Sequence, residues 1–322
     1  MQDLVETNRG EFFSKRSKIN GFVIAISMIT ASIILDSFKG EKVFLGFILL
    51  FSLAAIGRYF SFHFLKKQYE PQPTRDDKAF FSFLQFAKKM HSNNFGRFVI
   101  FTSLMSFAVV IASPFFSVYM LKELQLSYFA FTLIVLSSLV SPIFFLSFIG
   151  KKIDKYGTVK VMKISGFLIS FVPLLWIASL LLMNSPQWVL IGYLFAVEFF
   201  SGFVWAAYNL SVSNFIYDAV TKPKIILCFT YFGFVNSIGS FLGGLIGGQL
   251  SGSASFSIFG LGAILSVFLL STVLRILPSI FILPKLKEVR QVETSKAIIQ
   301  LKVKEKLEYF IKLITSYNPR PT

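Results

Sequence analysis

Apolar residues arrive along this chain in continuous blocks of roughly the length that crosses a hydrocarbon core of about 30 Å as an α-helix. Eight blocks are read, at 19–36, 43–62, 98–121, 128–149, 161–183, 188–210, 225–250 and 257–283. None alternates apolar with polar residues as a barrel strand does. The predicted fold class is all-α, a polytopic membrane protein of about eight transmembrane helices.

The polar breaks organise the blocks. On one side of the predicted membrane the connections are short, namely DSFKGEK, KELQLS, NSPQ and SGSASF, so successive spans are antiparallel neighbours. On the other side one long connection, 63–97, contains Pro71 and Pro73 and divides the chain into two spans and then six. Within it AFFSFLQFAKKM predicts a short amphipathic helix lying on the membrane face. After Pro284, residues Ile299, Val303, Leu307, Phe310 and Ile314 recur at helical spacing among lysines, which predicts an amphipathic helix in a basic tail over 284–322. A solvated tail is the preferred reading over a partner-binding one.

Composition agrees with this pattern. The chain is 54% hydrophobic and 15% charged, against about 25% charged in soluble proteins. Its net charge of +16 invites a nucleic-acid reading, but the placement of the charge argues against it. Segments 1–18, 63–97, 150–163, 211–224 and 284–322 hold 27 of the 32 lysines and arginines. Cytoplasmic loops carry that excess, so a multi-pass protein of the cytoplasmic (inner) membrane with both termini in the cytoplasm is predicted, and the partner of the basic charge is lipid rather than nucleic acid. The start MQDLVETNRGEFFSKRSK lacks an apolar core and is not read as a signal peptide. One cysteine, Cys228, excludes a disulfide framework, and two histidines, His63 and His91, argue against a metal site. No cofactor is expected, and no phosphate-cradling G-x-x-x-x-G-K-[ST] loop is present to couple ATP.

The loop after the fourth span reads GKKIDKYGTVK, in which Gly150, Asp154, Lys155 and Gly157 form G-x-x-x-D-K-x-G. Glycines permit a tight turn between helix ends, and an Asp beside a helix N-terminus is stabilised by the partial positive charge there. This loop resembles the cytoplasmic signature of the major facilitator superfamily, found between the second and third helices of each six-helix half. The third span follows the long linker and begins a run of six, which puts the signature in the expected loop. The resemblance implies that 1–62 supplies the last two helices of an N-terminal bundle, 63–97 the cytoplasmic inter-bundle linker, and 98–283 a complete C-terminal six-helix bundle. The chain then resembles helices five to twelve, with the first four missing. It also implies transport of a small solute by alternating access, with no covalent chemistry.

Polar groups at membrane depth are expensive and mark the candidates for solute or proton binding. Glu198 falls about 15 Å into its span, at the midplane. At 100° per residue it shares a face with Ser201, Gly202, Trp205 and Asn209. Two readings stand side by side: Glu198 binds a proton or a cationic group, or it is a structural carboxylate hydrogen-bonded to neighbours. In the third span Ser113 precedes Pro114, and Ser106, Ser117 and Tyr119 add hydroxyls. These either line a cavity or bond back to their own helix. Asn236 in the seventh span is a further cavity candidate. There Gly239, Gly243 and Gly247 repeat at four residues, as do Gly244 and Gly248, a spacing that lets helix backbones approach closely. The resemblance implies an inter-bundle sliding contact for this helix, and static close packing is the equal alternative. Asp218 with Lys222 or Lys224 suggests a cytoplasmic ion pair.

Function then divides into three classes. A secondary active transporter, with protons as a candidate coupling ion, leads. The alternative is a non-transporting membrane protein, a degenerate relative with an assembly or sensing role. An enzyme is disfavoured, because acid–base work takes two positioned groups and Glu198 is the only acidic residue deep in any span.

Overall fold

A computed structural model describes residues 9–38, 40–67, 80–253 and 256–289, with the backbone alone at 9–18, Glu41 and Lys222. The tail helix expected after Pro284 lies outside the described residues. Among the described residues the predicted all-α class is what is found, with eight helices long and apolar enough to cross a membrane. In chain order they are α1 (Arg9–Ser37), α2 (Val43–Leu65), α4 (Asn94–Val118), α5 (Tyr128–Tyr156), α6 (Thr158–Ala178), α7 (Gln187–Ala219), α8 (Ile225–Gly252) and α9 (Ala263–Phe281). A short helix α3 (Phe83–Lys89) precedes α4.

Helix ends follow local chemistry that hydropathy does not register. Asn93 caps α4 by accepting from the Gly96 amide, and Ser127 caps α5 by accepting from the Ala130 amide at 3.1 Å. α7 continues nine residues beyond the predicted limit of 210, carrying polar Asn214 and Asp218 past the apolar block. The last span starts at Ala263 and not at 257. Phe259 and Gly260 take positive φ of 55° and 75°, and the Ser266 hydroxyl accepts from the Ile258 amide at 2.9 Å, so this stretch is a turn. Gly157 is at once the C-cap of α5 and the N-cap of α6, at φ 92°, a conformation that favours glycine.

The six helices α4 to α9 pack as a bundle. α4 contacts α8 and α9, α6 contacts α7 and α9, and α5 contacts α7. The α4–α8 contact is set by glycine. A Cβ at Gly239, Gly243 or Gly247 would meet the backbone carbonyl of Ser103, Phe107 or Ile111 in turn. These partners advance together, so the two helices run parallel with backbones in direct apposition. The second stripe behaves differently, since Gly244 has Val110 at ordinary contact distance and Gly248 faces open space.

The helix ends on the basic side are strapped. Buried Leu283 and Leu286 anchor the segment after α9. Asn94 and the Lys287 backbone exchange two hydrogen bonds, of 2.8 and 3.0 Å, and Glu288 accepts from the Val159 amide at 2.7 Å. Helix α3 forms where the apolar pattern predicted it, with a capping box between Ser82 and Gln85. Its buried face is held by the protein itself: the Tyr231 hydroxyl donates to the Phe81 carbonyl at 2.6 Å, and the Phe81, Phe83 and Phe86 rings surround Tyr231.

Helix α1 meets this bundle through α5, and α2 is almost wholly exposed apart from Gly46, which lies against α1. Asp36, at the end of α1, accepts from the amides of Tyr128 at 3.0 Å and Phe129 at 2.9 Å. A carboxylate there answers two unsatisfied donors and the positive end of α5. Asp36→Ala is expected to cost about 1–2 kcal/mol, read as a lower unfolding midpoint in detergent. Asp36→Asn, which keeps one acceptor, is expected to cost less.

Candidate functional site

Helix α7 is the spine of the site. Gly202 lets it approach α5 so closely that a Cβ there would meet the backbone of Ser138, and Ser137 donates to the Phe195 carbonyl at 3.1 Å across the same interface. This apposition puts Glu198, one turn above Gly202, beside the Ser138 hydroxyl of α5 and the Trp176 indole of α6. Ser138 donates to its own helix at the Val135 carbonyl, 2.8 Å away. The buried indole Nε1 of Trp176 stands next to the carboxylate and meets no other acceptor among the described residues.

A cavity of about 710 Å³ opens in front of this group. α7 lines it with Glu198, Ser201, Gly202, Trp205, Asn209 and Ser213, α5 with Ser138 and Pro142, and α4 with Ser113, Phe116 and Ser117, with Met120 in the turn that follows. The helical face read from the α7 sequence is thus the wall of a cavity. A second cavity of about 440 Å³ lies between α4, α7 and α8 and shares Val109, Trp205, Asn209 and Ser213 with the first. Asn236 lines it, accepting from the Ser106 hydroxyl at 2.9 Å and donating to the Phe232 carbonyl at 2.8 Å.

The structure therefore brings Glu198, Trp205, Asn209 and Ser113 to one cavity and Asn236 to its neighbour. Tyr119 is on neither wall. It is 1% exposed, packed against Trp176 and Phe268, with its hydroxyl 3.0 Å from that of Ser179. The reason is phase. Six residues beyond Ser113 is about 240° around the helix, whereas Phe116, Ser117 and Met120 follow Ser113 on one face.

In the signature loop, Gly150, Asp154 and Lys155 sit within α5 and Gly157 makes the joint with α6. A Cβ at Gly150 would meet nothing, so close packing does not require glycine there. Glu288 accepts from the Val159 amide in the first turn of α6. Lys152, Lys155 and Lys160 gather over the Tyr156 ring at 5.5, 5.2 and 5.0 Å from its centroid. Asp218 accepts from the Thr158 hydroxyl at 3.3 Å, while the Lys222 side chain lies outside what is described.

Sequence reasoning missed Arg275. It is 2% exposed, yet it lines the 710 Å³ cavity from α9. The signal was a basic residue in the middle of an apolar span, which has a functional reading by default.

Comparison with known proteins agrees with this architecture. The family model described as Major Facilitator Superfamily matches residues 2–216 and residues 98–313, so 98–216 falls in both matches. Searches of the curated proteins and of the solved structures gave no match. The chain belongs to the Major Facilitator Superfamily, and it is a multi-pass membrane protein of that transporter type.

Proposed function

We propose that this chain is a secondary active transporter that moves a small solute across the cytoplasmic membrane by alternating access, with Glu198 as the proton-carrying group. The observation that carries the reading is the polar cavity at mid-span of α7, lined by Glu198, Ser113, Trp205 and Asn209 within an otherwise apolar bundle. A cavity of this volume holds a small organic solute, and a carboxylate at that depth is retained at a cost that solute or proton binding offsets. α4 to α9 act as the C-terminal bundle, α1 and α2 as the closing helices of an N-terminal one, and the segment between as the cytoplasmic linker. Both termini are cytoplasmic, on the basic side. The Asn236 cavity extends the solute path towards α8, and the glycine ladder supports close α4–α8 packing through the cycle.

The test is accessibility. In a Cys228→Ala background, Ser113→Cys is expected to react with a membrane-impermeant maleimide added from either face of the membrane. Reaction from one face only, under all conditions tried, would overturn alternating access.

A further inference from the structure

Arg275 has no role in that reading, and its surroundings call for one. Two carbonyls accept from its terminal nitrogens, Ile169 at 3.2 Å and Val109 at 3.5 Å, and its buried Nε has no partner. A guanidinium has five N–H donors and a full charge, and two carbonyl dipoles satisfy neither. Among the described residues no carboxylate bonds to it: the groups beside Glu198 are Ser138 on α5 and Trp176 on α6. Arg275 instead lines the same cavity as Glu198 and Ser113.

On the reading that this cavity holds the solute, we propose that Arg275 is an anion subsite, that the solute carries a carboxylate, and that the carboxylate enters together with a proton taken by Glu198. Charge balance in a medium of low dielectric links the three. Arg275 and Glu198 are the ionisable side chains among the described residues that line the cavity. With Glu198 ionised the empty cavity is neutral, and a bound carboxylate leaves it one negative charge in excess. A proton on Glu198 restores neutrality. An uncompensated charge is costly there, so the two binding events are linked. One guanidinium matches a carboxylate charge for charge, whereas a phosphate dianion would leave a second charge unmatched.

The test does not require knowing the solute. In the full chain carrying Cys228→Ala and Ser113→Cys, the rates of modification by carboxyethyl, hydroxyethyl and trimethylammonioethyl methanethiosulfonates are each normalised to their rates with glutathione. The carboxyethyl reagent is expected to exceed the hydroxyethyl reagent about tenfold. That preference is expected to fall to about one in Arg275→Gln and to be largely kept in Arg275→Lys. It is expected to rise as pH falls, and to be high and independent of pH in Glu198→Gln. The hydroxyethyl rate reports whether each variant keeps its fold. If Arg275→Gln does not fold, the ratio of carboxyethyl to trimethylammonioethyl rates in the Arg275 chain still decides. No carboxylate preference with Arg275 in place, or the same preference in Arg275→Gln, overturns the anion subsite. A preference that ignores pH while Glu198 is present overturns the proton link. Labelling needs no turnover, so labelling from one face with the preference intact would refute transport and leave the subsite standing.

Discussion

Replacing Glu198 by Gln is expected to abolish pH-driven accumulation of solute, by tenfold or more, while leaving the protein folded. Glutamine keeps the shape of the side chain, a place beside the Ser138 hydroxyl and a carbonyl acceptor for the Trp176 indole. What it removes is the titration. In the native protein, lowering the pH on the uptake side places a proton on a carboxylate whose neighbours are a hydroxyl and an indole, and the neutral form costs far less at this depth. Transport is therefore expected to rise as external pH falls, and to be flat with pH in Glu198→Gln. Counterflow, in which no proton gradient is used, is expected to survive. A variant with unchanged accumulation and an unchanged pH profile would return Glu198 to a structural role. A variant that failed to fold would do the same, since a carboxylate kept only for its charge has no packing to lose.

The second large effect is structural. Gly243→Val is expected to cost about 2–4 kcal/mol, seen as poor yield and a lower unfolding midpoint in detergent. Its Cβ would occupy the space of the Phe107 carbonyl and backbone. Neither is the end of a flexible side chain, so α4 and α8 must separate. Separation also breaks the Ser103 hydrogen bond to the Val235 carbonyl at 2.9 Å and the Asn236 bond with Ser106. Gly248→Val is the matched control, because nothing lies within reach of a Cβ there. It is expected to leave the midpoint unchanged. Equal effects at the two positions would mean that the glycine ladder acts through helix propensity and not through backbone contact.

Much of this fold, and one wall of the site, is legible in the amino-acid sequence for a physical reason. Span number and fold class follow from block length, because the hydrocarbon core sets one length for every helix. The α7 wall of the cavity follows from helical phase, because Glu198, Ser201, Trp205 and Asn209 belong to one rigid element. Helix α3 follows from its own amphipathic pattern. What cannot be read there depends on residues far apart in the chain. Asp36 looks like a loop residue until α1 meets the start of α5. Glu288 belongs to a polar tail in sequence and to the first turn of α6 in space. Arg275 shows its charge in sequence, but not the cavity it reaches. Tyr119 is close to Ser113 along the chain and shares its polar chemistry, yet phase turns it about 120° away around the helix.

The most direct test of transport is to ask the reconstituted chain what it moves. Proteoliposomes containing the full chain, with an inward proton gradient, are incubated with the small-molecule fraction of a cell extract, and their contents are read by mass spectrometry. At least one solute is expected to accumulate in a protonophore-sensitive way and not to be accumulated by Glu198→Gln. Contents identical to those of protein-free liposomes would refute a transport role for the chain.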